Sequence, residues 1–277
     1  MLEAALAWAA DALGCPLARA EQLAGGMTST MLALTDSSGR ESVLRLTTEE
    51  PWRTHGSDLT LRERAAQVAL ASSVVPAPTS IAVGFTAGVA AHLMTRVPGT
   101  PTTRVDAAAV DAMASMLATI HDLRPAEPFR DFQSWAWEAK WVVPPWTRHP
   151  DSWRRAFDLL TAGSPPFEPT FLHRDFSHRN LLWTDGSISG VVDWVETSTG
   201  PAWLDAAHAA TNLAMAFGPS PARGFMKAYA GLTGRTPDTH WLVMDAVGFL
   251  PPPGREPMFG SATELARLDA WLDEVVR

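Results

Sequence analysis

The run His173-Arg174-Asp175-Phe176-Ser177-His178-Arg179-Asn180, with Asp193 thirteen residues beyond Asn180, constrains this chain more than any other feature. It is a His-x-Asp-x₄-Asn pattern with a downstream carboxylate, and both spacings must agree for the groups to act together. Pro169-Thr170-Phe171-Leu172 is an apolar run ahead of it. Leu181-Leu182-Trp183 and Gly190-Val191-Val192 read as two short strands about an Asp185-Gly186-Ser187 turn. A loop, a hairpin and a carboxylate ending the second strand predict Asp175, Asn180 and Asp193 on one face. Phosphoryl transfer from a nucleotide needs these groups. One carboxylate aligns and deprotonates the attacking hydroxyl, and an amide with a further carboxylate holds Mg²⁺ against the phosphates. The structural alternative is that Asp and Asn sit in turns because their side chains bond local backbone.

A chain of 277 residues with 46% hydrophobic and 19% charged residues is long and apolar enough for a sizeable globular core in one large or two small domains. The formal charge of −8 disfavours nucleic acid and anionic membrane as partners and is compatible with a cationic ligand. Cys15 is the single cysteine, which excludes an internal disulfide and fits a reducing, cytoplasmic setting. Glu3 and Asp11 interrupt the N-terminal apolar stretch, so no signal peptide is expected, and no apolar run is long enough to span a membrane.

Residues 2–13 have helical spacing. Gly25-Gly26-Met27-Thr28-Ser29-Thr30 precedes the strand-like Met31–Leu34, and the Asp36–Gly39 turn leads to the strand Ser42–Leu46. Leu59–Ser72 reads as a helix with Glu63, Gln67 and Leu70 on one side. Residues 81–83 and 91–94 read as strands. Val97-Pro98-Gly99-Thr100-Pro101 is the best linker. Beyond it lie a long helix over 105–121 and helices over 203–217, 222–232 and 262–277. The expected fold class is α+β, with a sheet-rich part over 1–97, a larger mostly helical part over 98–277, and a cleft between them.

Other parts stand in a telling order. Gly25 and Gly26 can let backbone approach phosphates, or can simply turn a hairpin. Arg45 can neutralise phosphates, or lie on an edge strand surface. Glu63 can pair bidentately with Arg45, or be a solvated helix charge. This order, with Leu93-Met94 before the linker, Leu117-x₃-His121, the His173 run, Asp193 and Gly200-Pro201-Ala202-Trp203-Leu204-Asp205, resembles the aminoglycoside phosphotransferase family over nearly the whole chain.

The resemblance implies a bilobal protein-kinase-like fold with ATP or GTP and Mg²⁺ between the lobes. It implies Asp175 as catalytic base and Asn180 and Asp193 as metal ligands. Nucleotide contacts are implied for Gly25, Gly26, Ser29, Thr30, Arg45, Glu63, Met94, Thr95 and Val97, and Asp205 is implied as a brace for the catalytic loop. The chain departs from the pattern where Arg45 replaces the usual Lys, where Arg174 replaces the frequent Gly, and where Trp194 follows Asp193. No Ala-Pro-Glu segment follows Asp193, which disfavours a protein kinase.

Weaker constellations remain. His173, Asp175 and His178 form a metal trio only without any zinc-type spacing. Trp135, Trp137, Trp141, Trp146 and Trp153 can stack on a substrate or pack helices. Glu196 can meet a cationic substrate or be a solvated loop acid. The expected activity is transfer of a γ-phosphoryl group to a hydroxyl of a small molecule. A cationic antibiotic, aminoglycoside-type or basic peptide, leads, with Glu196, Trp137 and Trp141 as substrate contacts. A choline- or homoserine-like metabolite, a macrolide, a protein acceptor and an inactive binding module stay open, and the chain is expected to be a monomer or homodimer.

Overall fold

The computed structural model describes residues 1–24, 26, 28–257 and 260–277. The chain divides into two compact units, one of Met1–Gly99 with Ser189–Glu196 and one of Thr100–Ile188 with Thr197–Arg277. The fold class is α+β, as the sequence predicts.

The first unit opens with α1 (Leu2–Leu13), β1 (Leu17–Gln22), β2 (Thr30–Asp36), β3 (Glu41–Leu46), α2 (Gly56–Leu70), β4 (Ser80–Thr86) and β5 (Val89–Thr95). Its strands form one antiparallel sheet in the order β1-β2-β3-β5-β4. Side chains alternate across a strand, and that period sorts this sheet into two jobs. Leu44 and Leu46 of β3, and Val89, Ala91 and Leu93 of β5, join Ala5 and Ala9 of α1 in an apolar core. The intervening residues, Arg45, His92 and Met94, fall on the opposite face, where α2 supplies Glu63 and Gln67. The sequence reading lacks β1: Leu17–Gln22 shows no apolar alternation, and its pairing with β2 makes it a strand. The loop 23–29 therefore joins β1 to β2. Gly25 lies outside the described residues.

The second unit holds β6 (Thr100–Pro101), α3 (Ala107–His121), α4 (Pro150–Thr161), β7 (Pro169–Leu172) and β8 (Leu181–Thr184). After β9 (Ser187–Val191), which leads into the first unit, come β10 (Ser198–Pro201), α5 (Ala202–Phe217), α6 (Pro219–Thr233), α7 (Thr239–Gly248) and α8 (Ala262–Val275). The turn between β8 and β9 has positive φ at Asp185 (49°) and Gly186 (77°), as the Asp-Gly pair predicts. β7 pairs antiparallel with β10, and β6 with β8. Helix α5 is apolar around almost its whole circumference and is buried from Ala202 to Met215, the pattern of a core helix. Two helices have no counterpart in the sequence reading. α4 is amphipathic but starts on a proline inside a Pro- and Trp-rich stretch that reads as irregular, and α7 is short and almost wholly buried, so it shows no amphipathic period.

Candidate active site

In the first unit, Arg45 and His92 are cross-strand partners on β3 and β5. Glu63 of α2 receives both. Its Oε1 lies 3.3 Å from Arg45 Nη1 and its Oε2 lies 2.8 Å from His92 Nδ1. Glu63 is 1% exposed, so it is not the solvated helix charge that a lone glutamate would be. Burial works to raise its pKa, but the Arg45 guanidinium and the His92 hydrogen bond prevail and hold it below the ordinary range. A carboxylate only accepts, so His92 donates from Nδ1, and its Nε2 meets the Ser80 hydroxyl at 2.9 Å.

Arg45 Nη1 also donates to Asp193 Oδ1 at 2.9 Å. Asp193 sits just past β9 with φ +67°. An aspartate tolerates this left-handed backbone better than most residues. Two residues on, the Val195 carbonyl accepts from Arg62 Nη1 at 2.8 Å, and the same guanidinium nitrogen lies 3.8 Å from Glu196. Met94 is buried with its Sδ 3.5 Å from Gln67 Nε2. The Thr95 amide donates to the Thr79 carbonyl at 2.9 Å, and Val97 is half-buried beyond the strand end. At Gly26 φ is +79°, and a Cβ there would lie 2.6 Å from the Ser29 carbonyl oxygen, so the turn to Ser29 admits only glycine. Thr30 follows, its hydroxyl 3.2 Å from that of Thr48.

In the second unit, the loop from His173 to Asn180 runs between β7 and β8, and one stripe of α5 reads along it. Asp205 accepts the backbone N–H groups of His173 (2.8 Å) and Arg174 (2.7 Å), with His121 Nε2 at 3.2 Å. One turn later, His208 Nε2 lies 2.9 Å from Asp175 Oδ1. A further turn on, Asn212 Oδ1 accepts from Arg179 Nη1 at 2.8 Å. These three α5 positions share one helix face by their spacing. Burial alone would raise the pKa of Asp205, but His121 and the neighbouring cations outweigh it and the carboxyl stays below the usual range.

The Asp175 side chain is 34% exposed. Its second oxygen, Oδ2, accepts from Asn180 Nδ2 at 3.0 Å, and the same amide donates to the Asp175 carbonyl at 2.8 Å. Burial pushes the carboxyl up, yet the His208 contact and then His173 and Asn180 hold it down, so Asp175 is ionised. Asn180 spends its NH₂ on Asp175, and its Oδ1 is the atom suited to a hard cation. An amide oxygen of this kind, like the carboxylate of Asp193 in the first unit, is a hard donor of the type that Mg²⁺ takes. Among the described residues no group of three or more His, Cys, Asp or Glu side chains is disposed to hold a metal, so the His173, Asp175 and His178 trio is not assembled. His173 Nδ1 instead accepts the Asp175 N–H at 3.2 Å, and His178 packs edge-on against Phe217.

Arg174 has φ +75°, the left-handed backbone conformation that favours glycine. Its guanidinium lies 3.9 Å over the Trp135 ring and donates to the Gln133 carbonyl at 3.2 Å. The other tryptophans mostly pack. Trp141 stacks on Phe157 and donates to the Ala136 carbonyl, and Trp153 is buried with its N–H on Asp269 at 2.9 Å. Trp137 is 47% exposed, and the Lys140 ammonium sits 4.3 Å over its ring. Lys140 itself is buried, which pushes its pKa down to about 8.

Sequence reasoning missed three site residues, His92, His208 and Asp245. Asp245 Oδ1 lies 2.9 Å from His208 Nδ1. The available signal was a titratable residue isolated in an apolar run, as in Ala-Ala-His208-Ala-Ala, Val-Met-Asp245-Ala-Val and Ala-Ala-His92-Leu-Met. Such a group must find a partner when its element is buried.

The sequence matches the model of the phosphotransferase enzyme family (APH) over residues 19–243. No curated protein matches the chain. Among solved structures, it is similar to a thermostable mutant of aminoglycoside phosphotransferase APH(4)-Ia in ternary complex with ADP and hygromycin B, at 18% identity and TM-score 0.69 over 98% of this chain and 97% of that one. The macrolide 2'-phosphotransferase MphH from Brachybacterium faecium shares 18% identity at TM-score 0.61, over 87% of this chain and 89% of that one. Amicoumacin kinase hAmiN, in complex with AMP-PNP, Ca²⁺ and Ami, shares 15% identity at TM-score 0.58, over 93% and 87%. With most of its length matched by the family model and its fold shared with these enzymes, the chain belongs to the phosphotransferase enzyme family (APH).

Proposed function

We propose that the protein moves the γ-phosphoryl group of ATP or GTP to a hydroxyl of a small-molecule antibiotic, with Asp175 as the base. The observation that carries this reading is the Asp175 carboxylate, ionised, partly exposed, and held by named donors at both oxygens. A positioned carboxylate of this kind aligns the hydroxyl and takes its proton as the phosphoryl group departs. Asn180 and Asp193 would hold the divalent ion, which neutralises charge developing on the phosphate oxygens. Arg45, fixed by Glu63, would meet the phosphates. The turn at Gly26, with Gly25, Ser29 and Thr30, would cover them, and Met94, the Thr95 carbonyl and Val97 would receive the nucleobase.

The acceptor reading starts from a cationic antibiotic, supported by the net charge of −8 and by the hygromycin B complex of the similar enzyme. A second reading, a less highly charged antibiotic such as a macrolide, has its own support. Arg62 lies beside Glu196, and Lys140 covers Trp137, so two of the side chains proposed to meet a cation already do so. We place the protein in the cytoplasm, where nucleotide is supplied. Among the described residues no helix is long and apolar enough to cross a membrane.

ADP release from ATP or GTP with Mg²⁺, measured over a panel of aminoglycosides, basic peptide antibiotics, macrolides, choline and homoserine, tests both readings. The expected result is one responsive class, with a loss of at least about 10²-fold in turnover for Asp175→Asn. Full turnover by that variant on the responsive acceptor would remove Asp175 as base.

A further inference from the structure

His208 joins the proposed base to a second, fully buried carboxylate. Its Nε2 lies 2.9 Å from Asp175 Oδ1 and its Nδ1 lies 2.9 Å from Asp245 Oδ1. Carboxylate oxygens on both sides only accept, so both ring nitrogens carry protons and the ring is an imidazolium. Asn212 Nδ2, 3.1 Å from His208 Nε2, has a better acceptor in the His208 carbonyl at 2.9 Å. Asp245 Oδ2 is buried with no hydrogen-bond partner, which leaves the imidazolium as the group that compensates this carboxylate. The remaining ring neighbours are aromatic, with Trp135 edge-on at 5.3 Å and Phe249 stacked at 5.6 Å. Arg174 lies over the far side of this group on Trp135, and the nearby His178 is neutral because burial brings its pKa to about 4.

Apolar packing gives no reason for a charge in the Ala-Ala-His-Ala-Ala core of α5. A buried imidazolium between two carboxylates is costly unless its geometry is used. The ring can rotate little between two fixed acceptors and two aromatic walls, and Asp175 Oδ1 is therefore pinned from the α5 side. We infer that His208, itself held by Asp245, is a positioning residue that sets the orientation of the Asp175 carboxylate, so that Oδ2 is the oxygen presented to the acceptor hydroxyl. This inference rests on the reading of Asp175 as base.

The test compares His208→Gln, whose longer amide can still donate to Asp175, with His208→Asn, whose shorter one cannot. Each is measured with and without Asp245→Asn, and ADP release is followed both without an acceptor and with the acceptor the panel identifies. His208→Asn is expected to lose about 10²-fold in turnover, the scale of a misplaced catalytic group. His208→Gln should recover to within roughly tenfold of the parent, and Mg²⁺–ATP affinity should stay within about twofold for both. Asp245→Asn should lose about tenfold and add nothing on top of His208→Asn, since coupled residues are not additive. In the parent, two downfield imidazole N–H protons should appear by NMR, one displaced by Asp175→Asn and the other by Asp245→Asn.

Turnover of His208→Asn within twofold of the parent, a single imidazole N–H signal, or parallel losses of nucleotide affinity and turnover would overturn the inference. If His208→Asn does not fold, the Asp245→Asn rate and the two proton signals decide it in the same way. An inactive Asp175→Asn beside an active His208→Asn defeats this inference alone. A fully active Asp175→Asn defeats the assignment of the base instead.

Discussion

Arg45 and His92 stand opposite each other on adjacent strands and both converge on the buried Glu63. The pairing follows from strand period, since both residues lie on the face turned away from the α1 core. It locks Arg45 with a carboxylate on one side and leaves the same Nη1 to reach Asp193 on the other.

That arrangement predicts the outcome of placing a lysine at position 45. A lysine carries its point charge on a shorter side chain, so its ammonium falls short of the position from which Arg45 Nη1 meets both Glu63 and Asp193. Arg45→Lys should lower stability by about 1–3 kcal/mol while keeping nucleotide affinity within roughly tenfold. Arg45→Ala should lose more of both, because Glu63 would remain buried with one cation fewer. Thermal melts with and without Mg²⁺–ATP check this, and equal behaviour of the two variants would contradict it.

Asp205 holds the His173–Asn180 loop through two backbone amides. Asp205→Asn offers one acceptor oxygen where two are used, so one buried N–H goes unpaired. A stability loss of about 2–4 kcal/mol is expected, together with a fall in turnover. Chemical denaturation and ADP release measure the two effects. An unchanged midpoint would show that the loop holds its shape without this brace.

The backbone at Arg174 separates conformational strain from side-chain packing. Arg174→Ala removes the contact with Trp135 and keeps a Cβ at φ +75°. Arg174→Gly removes the same contact and the Cβ. The glycine variant should be more stable than the alanine one by about 1 kcal/mol. Paired urea melts give the difference, and alanine equal to or above glycine would mean that the positive φ costs nothing here.

His208 sets an alkaline limit on stability. Burial alone would lower its pKa, but Asp245 and Asp175 prevail and raise it from 6.5 to about 9 in the folded chain. A group with a raised folded pKa stabilises fully below its unfolded pKa and loses that contribution as pH climbs through the folded one. The His208 share should therefore be complete below about pH 6.5 and disappear between there and about pH 9. Melting temperature measured across that window should fall more in the parent than in His208→Gln. Parallel curves would show that the ring does not titrate there.

Much of the fold was legible because it depends on short-range patterns. The Asp-Gly turn, the helix over 107–121 capped by Asp106, and the two periods of the sheet and helices are local in sequence. β1 and α7 were not, since pairing and burial rather than their own period make them regular, and the surrounding Pro and Trp residues hid the period of α4. The same divide runs through the site. Asp175, Asn180 and Asp193 are candidates drawn from one sequence motif, whereas the partners that hold Asp175 came only from contacts. The tryptophans were legible only as a group, and contacts decided that Trp141 and Trp153 pack.

By itself, the sequence determined the chemical inventory: which carboxylates, amide and arginine are present, at what spacing, and on which kind of element. Only the tertiary structure decided what each is bonded to. It buried Glu63 between Arg45 and His92, gave Asp205 the loop amides, and set His208 between Asp175 and Asp245. The reason is physical. Spacing along a chain governs local backbone geometry, whereas the charge and orientation of a side chain are fixed by burial and by partners dozens of residues away.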